Sequence, residues 1–136
     1  WNEEEDRIVS SIDGYEGALD TMIQIFGEEN IARKWTGEAY EKRPNRAVLD
    51  IMAYYFSDRK VREVAIRKSK NVVKAFQDIC VQDDQFRKSI ESTTKSLGSM
   101  YIRLSTWGRV LNGVLDLQMP LPSYNNERNR IETPGR

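Results

Sequence analysis

Histidine is the most informative absence from this sequence, because the 136-residue chain contains none. Its absence excludes zinc sites of the Cys/His type, Ser-His-Asp and Cys-His nucleophile systems, and histidine-dependent nucleases. Cysteine is nearly absent too, with Cys80 alone, so a disulfide framework is excluded. Because no histidine can activate this thiol, and because it lies in the apolar run Ile79-Cys80-Val81, we interpret Cys80 as buried and inert.

Long apolar runs and glycine-rich phosphate loops are also missing. No run of about 18 apolar residues occurs, so the sequence predicts no membrane-spanning helix. Neither a P-loop nor a dinucleotide glycine fingerprint is present, and we predict no cofactor and no self-contained catalysis. The acidic cluster Glu3–Asp6 offers oxygen ligands for a divalent cation, but an acidic first helical turn explains it as well, so no metal site is predicted.

The charges of the chain cancel, with 21 Lys and Arg against 21 Asp and Glu. Any attraction for nucleic acid must therefore come from a local patch. The acidic N-terminus does not resemble a signal peptide, and with a single cysteine this predicts a cytoplasmic location. The chain is about one domain long, but it starts at Trp1 and stops at Arg136, and we interpret it as a piece of a longer protein.

Apolar spacing predicts an all-α fold, a bundle of five to six helices over residues 1–116. The first apolar stripe consists of Ile8, Ile12, Tyr15, Leu19, Met22 and Phe26. Asp13-Gly14 and Gly17 interrupt it, which leaves open whether the segment forms one helix or two. Further helices are predicted over 28–35, 47–56, 58–79, from 83 to about Ser92-Thr93-Thr94, and 97–115.

The C-terminal segment has a different composition from the rest of the chain. No stretch alternates with period two, so no strand is predicted anywhere. Residues 117–136 are rich in proline and asparagine and cannot bury enough apolar area to offset chain entropy. We predict that they form a tail, either a linker or a disordered end.

A basic segment from Arg59 to Lys74 holds seven cations against Glu63 as the only acid, an excess of six positive charges. Cations on one helical face can meet successive phosphates, which would position a nucleic-acid backbone rather than read its bases. A solvated outer face that docks on an acidic partner is the simpler interpretation. The candidate nucleic-acid-binding residues of this segment are Arg59, Lys60, Arg62, Arg67, Lys70 and Lys74.

A second basic group, in the stretch EKRPNRAVLD, contains Lys42, Arg43 and Arg46, which are also candidates for nucleic-acid binding. Pro44 favours an extended residue before it, and Asn45 is a good helix N-cap, so a helix start is the favoured interpretation. Arg46 can pair with Asp50 four residues on. A phosphate-gripping loop remains the alternative, because these cations surround the positive end of a helix.

Several aromatic and arginine residues lie in apolar surroundings. Tyr54-Tyr55-Phe56 and Trp107 resemble base-stacking platforms, yet their strongly apolar helical pattern predicts core packing. Arg103 and Arg109 interrupt the apolar surface of the last helix. We predict a carboxylate partner for each within the domain.

Three segments resemble the helical C-terminal half of GmrSD-type restriction proteins. They are MIQIFGEENIARKW, KRPNRAVLDIMAYYFS and DDQFRKSIESTTKSLGSMYIRLSTW. The resemblance spans roughly Leu19 to Leu111 and consists of packing signatures rather than catalytic ones. Its matching positions are Phe26-Gly27, Arg33, Asn45-Arg46-Ala47 with Leu49, Phe86, Thr94 and Arg103.

The resemblance implies a non-catalytic helical accessory domain of a bacterial restriction or phage-defence protein. Such a domain would continue from an N-terminal ParB-like domain of the same polypeptide, and would buttress it, form homo-oligomers or help to clamp DNA. The Asp-Gly-Gln-Gln-Arg motif of that family does not occur here, so nucleotide-dependent DNA cleavage is not assigned to this chain. The alternative function is a protein-interaction or oligomerisation module with no nucleic-acid role.

Overall fold

The structure is a computed structural model that describes residues 3–91 and 96–133, with side chains from residue 14 onward. The predicted helix end at Ser92-Thr93-Thr94, the acidic side chains of Glu3–Asp6 and residues 134–136 therefore lie outside the described residues.

The described residues form six helices and one small hairpin, which confirms the predicted all-α bundle. The helices are α1 (Glu3–Phe26), α2 (Arg46–Phe56), α3 (Arg59–Arg67), α4 (Ser69–Gln82), α5 (Asp84–Glu91) and α6 (Leu97–Leu115). The hairpin consists of β1 (Ser123–Asn125) and β2 (Arg130–Glu132). Within the described ranges, no helix combines the length and apolar character needed to cross a membrane.

An aromatic cluster occupies the centre of the bundle. Tyr55 and Phe56 of α2, Phe76 of α4, Phe86 of α5 and Trp107 of α6 are all fully buried. The rings of Phe76 and Trp107 meet edge to face, with centroids 5.5 Å apart and an interplanar angle of 79°. The prediction that Tyr55, Phe56 and Trp107 belong to the core is therefore confirmed, and Tyr54 packs against that core as a partly buried side chain.

Helix α1 runs without a break through Gly14 and Gly17, which the sequence left open as a division between two helices. A Cβ at Gly14 would lie 3.3 Å from Cβ of Ser57, and one at Gly17 would lie 2.7 Å from Cζ of Arg62. The two glycines thus let α1 approach the α2–α3 connection closely instead of ending the helix. The same packing leaves Tyr15, predicted to face inward, 46% exposed.

The short helix predicted over 28–35 is absent from this described segment: residues 28–32 form turns, and Trp35 pairs with Tyr40 in an isolated bridge. Gly27 does end α1 with φ of +87°, but Ala32 also has a positive φ of 55°, which a helix does not permit. Tertiary hydrogen bonds hold this conformation, since the Ala32 carbonyl accepts from the Asn45 N–H at 2.7 Å. Helix propensity is weak enough for such contacts to override it.

The predicted helix over 58–79 is divided in two at Lys68. This residue has φ of −110° and ψ of 32°, which is outside helical geometry, and it separates α3 from α4. Asp58 caps α3 as predicted, accepting hydrogen bonds from the N–H groups of Lys60 and Val61. Asp83 likewise accepts from the Phe86 N–H at 2.9 Å at the start of α5.

Among residues 3–91 and 96–133, the strands that depart from the prediction of no strands lie in the tail segment. Ser123, Tyr124 and Asn125 pair antiparallel with Glu132, Ile131 and Arg130 respectively. Asn112 of α6 bonds both backbone groups of Met119, which turns the chain back, and Tyr124 contacts Tyr101 of α6 edge to face. Strands of three residues carry too little alternation for a sequence pattern to reveal them.

Candidate nucleic-acid interface

The inner side of α3 determines where its charges lie. Val61 and Ala65, four residues apart, are buried against the bundle. Arg59, Lys60 and Arg67 therefore occupy the opposite, exposed side of the helix. The amphipathic pattern alone is enough to direct these three cations into solvent.

The exposed cations continue from α3 onto α4. In α4 the buried residues are Val72, Phe76 and Cys80, and Lys70 and Lys74 are exposed. We call the five exposed cations of the two helices the α3–α4 stripe, which consists of Arg59, Lys60, Arg67, Lys70 and Lys74. The structure therefore keeps five of the six predicted candidates of this segment in solvent.

The two ends of the stripe are paired with acids and its middle is not. Arg59 Nε lies 3.4 Å from Glu63 Oε1, and Lys74 Nζ lies 3.1 Å from Asp78 Oδ2. Such i, i+4 pairs between exposed side chains contribute little to stability and are easily exchanged for another anion. Lys60, Arg67 and Lys70 have no ion pair among the described residues.

Arg62, the sixth candidate of this segment, is engaged in the fold. Its Nη1 donates to the carbonyls of Phe56, at 3.1 Å, and Ser57, at 2.8 Å. The guanidinium therefore satisfies carbonyls at the end of α2 while it lies over Gly17 of α1. Its position identifies Arg62 as a packing residue rather than a free phosphate ligand.

Asn45 organises the start of α2, where the second group of candidates lies. Its side-chain oxygen accepts from the Val48 N–H at 3.1 Å, and its Nδ2 donates to the Ile90 carbonyl of α5 at 2.7 Å. The predicted N-cap is therefore confirmed, whereas the bond to Ile90 has no signal in the local sequence pattern. The predicted pair of Arg46 with Asp50 is also present, at 3.0 Å.

Lys42 and Arg43 are exposed, and the backbone at Lys42 has a structural role. Arg33 Nη1 donates to the carbonyls of Glu41, at 3.0 Å, and Lys42. Arg33 thereby holds the loop that leads into α2. The stretch from Lys42 to Arg46 is thus built as a helix start, and its cations line neither the groove between α1 and α4 nor the one around the end of α4.

The two groups of candidates begin at opposite ends of α2. Arg46 is the first residue of this 11-residue helix, and Arg59 follows its last turn. With a rise of 1.5 Å per residue, about 16 Å separates the two helix ends. None of the hydrogen bonds or ion pairs among the described residues joins one group to the other.

A shallow groove of about 310 Å³ borders the stripe, between α1 and α4. Ile25 and Val73 supply apolar surface, and Lys70 and Lys74 supply positive charge; we call it the lysine groove, and its remaining lining residues are Ser69 and Gln77. The sequence did not reveal this groove, because Ile25 lies 45 residues before Lys70 and only the packing of α1 on α4 brings them together.

The buried arginine of α6 bonds to a backbone oxygen. Arg103 is 7% exposed and donates from Nη1 to the Ser89 carbonyl at 3.1 Å, while burial lowers its pKa. Arg109 contacts Thr106 Oγ1 at 3.4 Å. Neither forms an ion pair with a carboxylate among the residues whose side chains the structure describes; a backbone carbonyl and a hydroxyl oxygen accept there instead.

The thiol of Cys80 is shielded by the core. Cys80 is buried, as predicted, and burial raises the pKa of its thiol to about 11. At neutral pH this group is therefore protonated and a poor nucleophile. The residues with described side chains include no group of three or more His, Cys, Asp or Glu placed to hold a metal ion.

Comparisons of the chain with protein-family models, with curated proteins and with solved structures found no match.

Proposed function

We propose that this chain is a non-catalytic helical module that lays the α3–α4 stripe along the phosphate backbone of DNA. The observation that supports the proposal is the row of exposed cations on α3 and α4, whose middle members carry no ion pair among the described residues. Phosphates can displace the two exposed acids from the ends of the row, and each cation that meets a phosphate releases counterions.

The resemblance to GmrSD-type restriction proteins supports DNA as the polyanion. In this proposal the chain is an accessory domain of a cytoplasmic bacterial defence protein, with a ParB-like domain of the same polypeptide as its neighbour. It holds the DNA while chemistry takes place elsewhere. Because the stripe contacts backbone and not base edges, binding is independent of sequence.

The test is a salt series of binding to a fluorescent duplex, measured by anisotropy. The variant K60Q/R67Q/K70Q/K74Q removes four of the five stripe cations and leaves Arg59 and Arg62 in place. We expect its slope of log K against log salt to fall by about one unit for each phosphate that the variant no longer neutralises. Thermal unfolding should be unchanged, because all four side chains are exposed.

Two control variants show whether the position of the cations, rather than their number, determines the salt slope. The variant K42Q/R43Q/R46Q neutralises the group before α2, and K88Q/R128Q neutralises exposed cations on α5 and the hairpin. Both should retain most of the salt slope. The three variants remove four, three and two cations, so reductions of the slope in that proportion would attribute the effect to overall charge. No binding at low salt would reject the DNA proposal.

A second candidate is a protein-interaction or oligomerisation module with no nucleic-acid role. The observation that favours it is the exposure of large apolar side chains on α1, where Tyr15 is 46% and Ile23 is 39% exposed. A chain that binds no duplex but associates with itself or another protein would support this candidate over the first.

A further inference from the structure

One edge of α1 combines apolar and acidic side chains in an exposed row. Tyr15 and Ile23 are exposed, and the partly buried Leu19 lies between them at the four-residue spacing of one helical edge. Glu16 and Asp20, both exposed, border this row. Exposed apolar side chains that form a row with a polar rim mark an interaction surface, whereas isolated ones do not.

The third large apolar side chain that is exposed in the described residues does not belong to such a row. Val81 of α4 stands alone, with its Cγ2 close to Gly37. On α1, by contrast, the spacing of three and four continues in the sequence through Ile12 and Ile8. The edge of α1 is therefore the stronger candidate for a docking surface.

Acidic and basic residues are concentrated in different parts of the chain, although the net charge is zero. Residues 3–32 contain nine acids and one base, Arg7, an excess of eight negative charges. Residues 33–74 contain twelve bases and five acids, an excess of seven positive charges. The sequence thus has an acidic stretch followed by a basic one.

The lysine groove is complementary to the α1 edge in apolar surface and in charge. Its Ile25 and Val73 offer apolar contact, and Lys70 and Lys74 stand beside them. Lys74 pairs with Asp78, whereas Lys70 has no ion pair among the described residues. A carboxylate brought to the groove would therefore find a cation beside an apolar surface.

We propose that the α1 edge of one molecule, formed by Tyr15, Leu19 and Ile23, docks into the lysine groove of a second copy of this chain. The contact cannot form within one molecule, because Ala18 and Met22 on the other side of α1 are fully buried and fix the helix. Glu16 and Asp20 of one copy then face Lys70 and Lys74 of the other. Reciprocal contacts close a dimer, and single contacts give an open chain.

The test measures molar mass by sedimentation equilibrium over a concentration series, in low and in high salt. The full chain should associate at low salt and dissociate as salt screens the charges. Two charge-reversal variants address the two surfaces, E16K/D20K on α1 and K70E/K74E in the groove. Each alone places like charges together and should weaken self-association by about tenfold or more.

The decisive measurement is the molar mass of a mixture of the two variants. The reversed α1 edge of E16K/D20K is complementary to the reversed groove of K70E/K74E, and their unaltered surfaces also match. The mixture should therefore associate more tightly than either variant alone. Two controls with the same changes of net charge, E127K/E132K and K88E/R128E, reverse exposed charges elsewhere and should associate like the unaltered chain.

Three results would overturn the proposal. They are a monomer at every concentration in low salt, reversal variants that associate as well as the unaltered chain, and a mixture that stays monomeric. Circular dichroism of each variant shows that the fold is retained, so none of these results reflects unfolding.

The self-association proposal stands apart from DNA binding, although both use Lys70 and Lys74. The variant Y15S/I23S alters only the α1 edge and leaves every charge in place. It should lose self-association and bind duplex DNA at least as tightly as the unaltered chain, because Lys70 and Lys74 are then free of the second copy. Loss of both properties would mean that the α1 edge is needed for the fold or for DNA contact, and would contradict the proposed docking.

Discussion

Helix α2 and the α3–α4 pair are joined by only two residues, Ser57 and Asp58, yet they use their polar residues differently. At the start of α2, Asn45 bonds both its own helix and α5. On α3 and α4, the exposed cations contact only neighbouring acids of the same helix or have no ion pair within the described ranges. The difference separates polar groups that hold the fold from charges that remain free to meet a partner.

Truncating the α2 core should have the largest effect. Phe56→Ala removes a fully buried ring that meets Trp107 edge to face, and should lower the free energy of unfolding by about 4 kcal/mol. Val81→Ala, at an exposed position, is the control and should change it by less than about 0.5 kcal/mol. Urea unfolding measures both. A cost below about 1 kcal/mol for Phe56→Ala would contradict the assigned core.

A smaller effect should distinguish the caps of α2 and α3. Asn45→Ala loses the cap and also leaves the Ile90 carbonyl without its donor, so we expect a cost of about 2 to 3 kcal/mol. Asp58→Ala loses only a local cap, with an expected cost of about 1 kcal/mol. Denaturant titration of the two variants side by side gives the difference. Equal costs would show that the bond from Asn45 to α5 adds nothing to stability.

The buried thiol of Cys80, on the inner side of α4, should make the stability of the fold fall at alkaline pH. Burial raises the pKa of Cys80 from 9.0 to about 11, so the folded chain holds this proton more tightly than the unfolded chain does. The resulting stability is fully present below pH 9 and is lost as pH rises through the folded pKa. We expect a loss of about 2 kcal/mol relative to Cys80→Ala, which lacks the titrating group.

Unfolding of both proteins across this pH range, under reducing conditions, measures that loss. The pKa of Tyr40 is raised first by burial and also by the charge of Cys80, so the part of its contribution that comes from burial cancels between the two proteins. Parallel pH profiles for the unaltered chain and Cys80→Ala would contradict a raised thiol pKa.

The sequence predicted the features that depend on local spacing. The buried side of α2, the caps at Asn45, Asp58 and Asp83, and the pair of Arg46 with Asp50 all follow from neighbours within about one helical turn. Their physical causes lie in a few adjacent residues, and a single sequence displays these directly.

The features that escaped prediction depend on residues far apart in the chain. Gly17 provides room for Arg62, and Asn45 reaches Ile90, so neither role is visible from the local pattern. The segment 28–35 is likewise held by contacts with residues near 41–45. The candidate site divides in the same way. Its exposed cations follow from the local helical pattern, whereas the lysine groove forms only because α1 packs beside α4.

The proposed DNA-binding surface is tested most directly by mapping the amides that respond when duplex DNA is added to the isotopically labelled chain, recorded by NMR at low salt. We predict shifts concentrated on residues 59–74, with the amides of residues 42–46 unaffected. Shifts centred on 42–46, or no shift at any described residue, would contradict the claim that the α3–α4 stripe is the surface that meets a nucleic-acid partner.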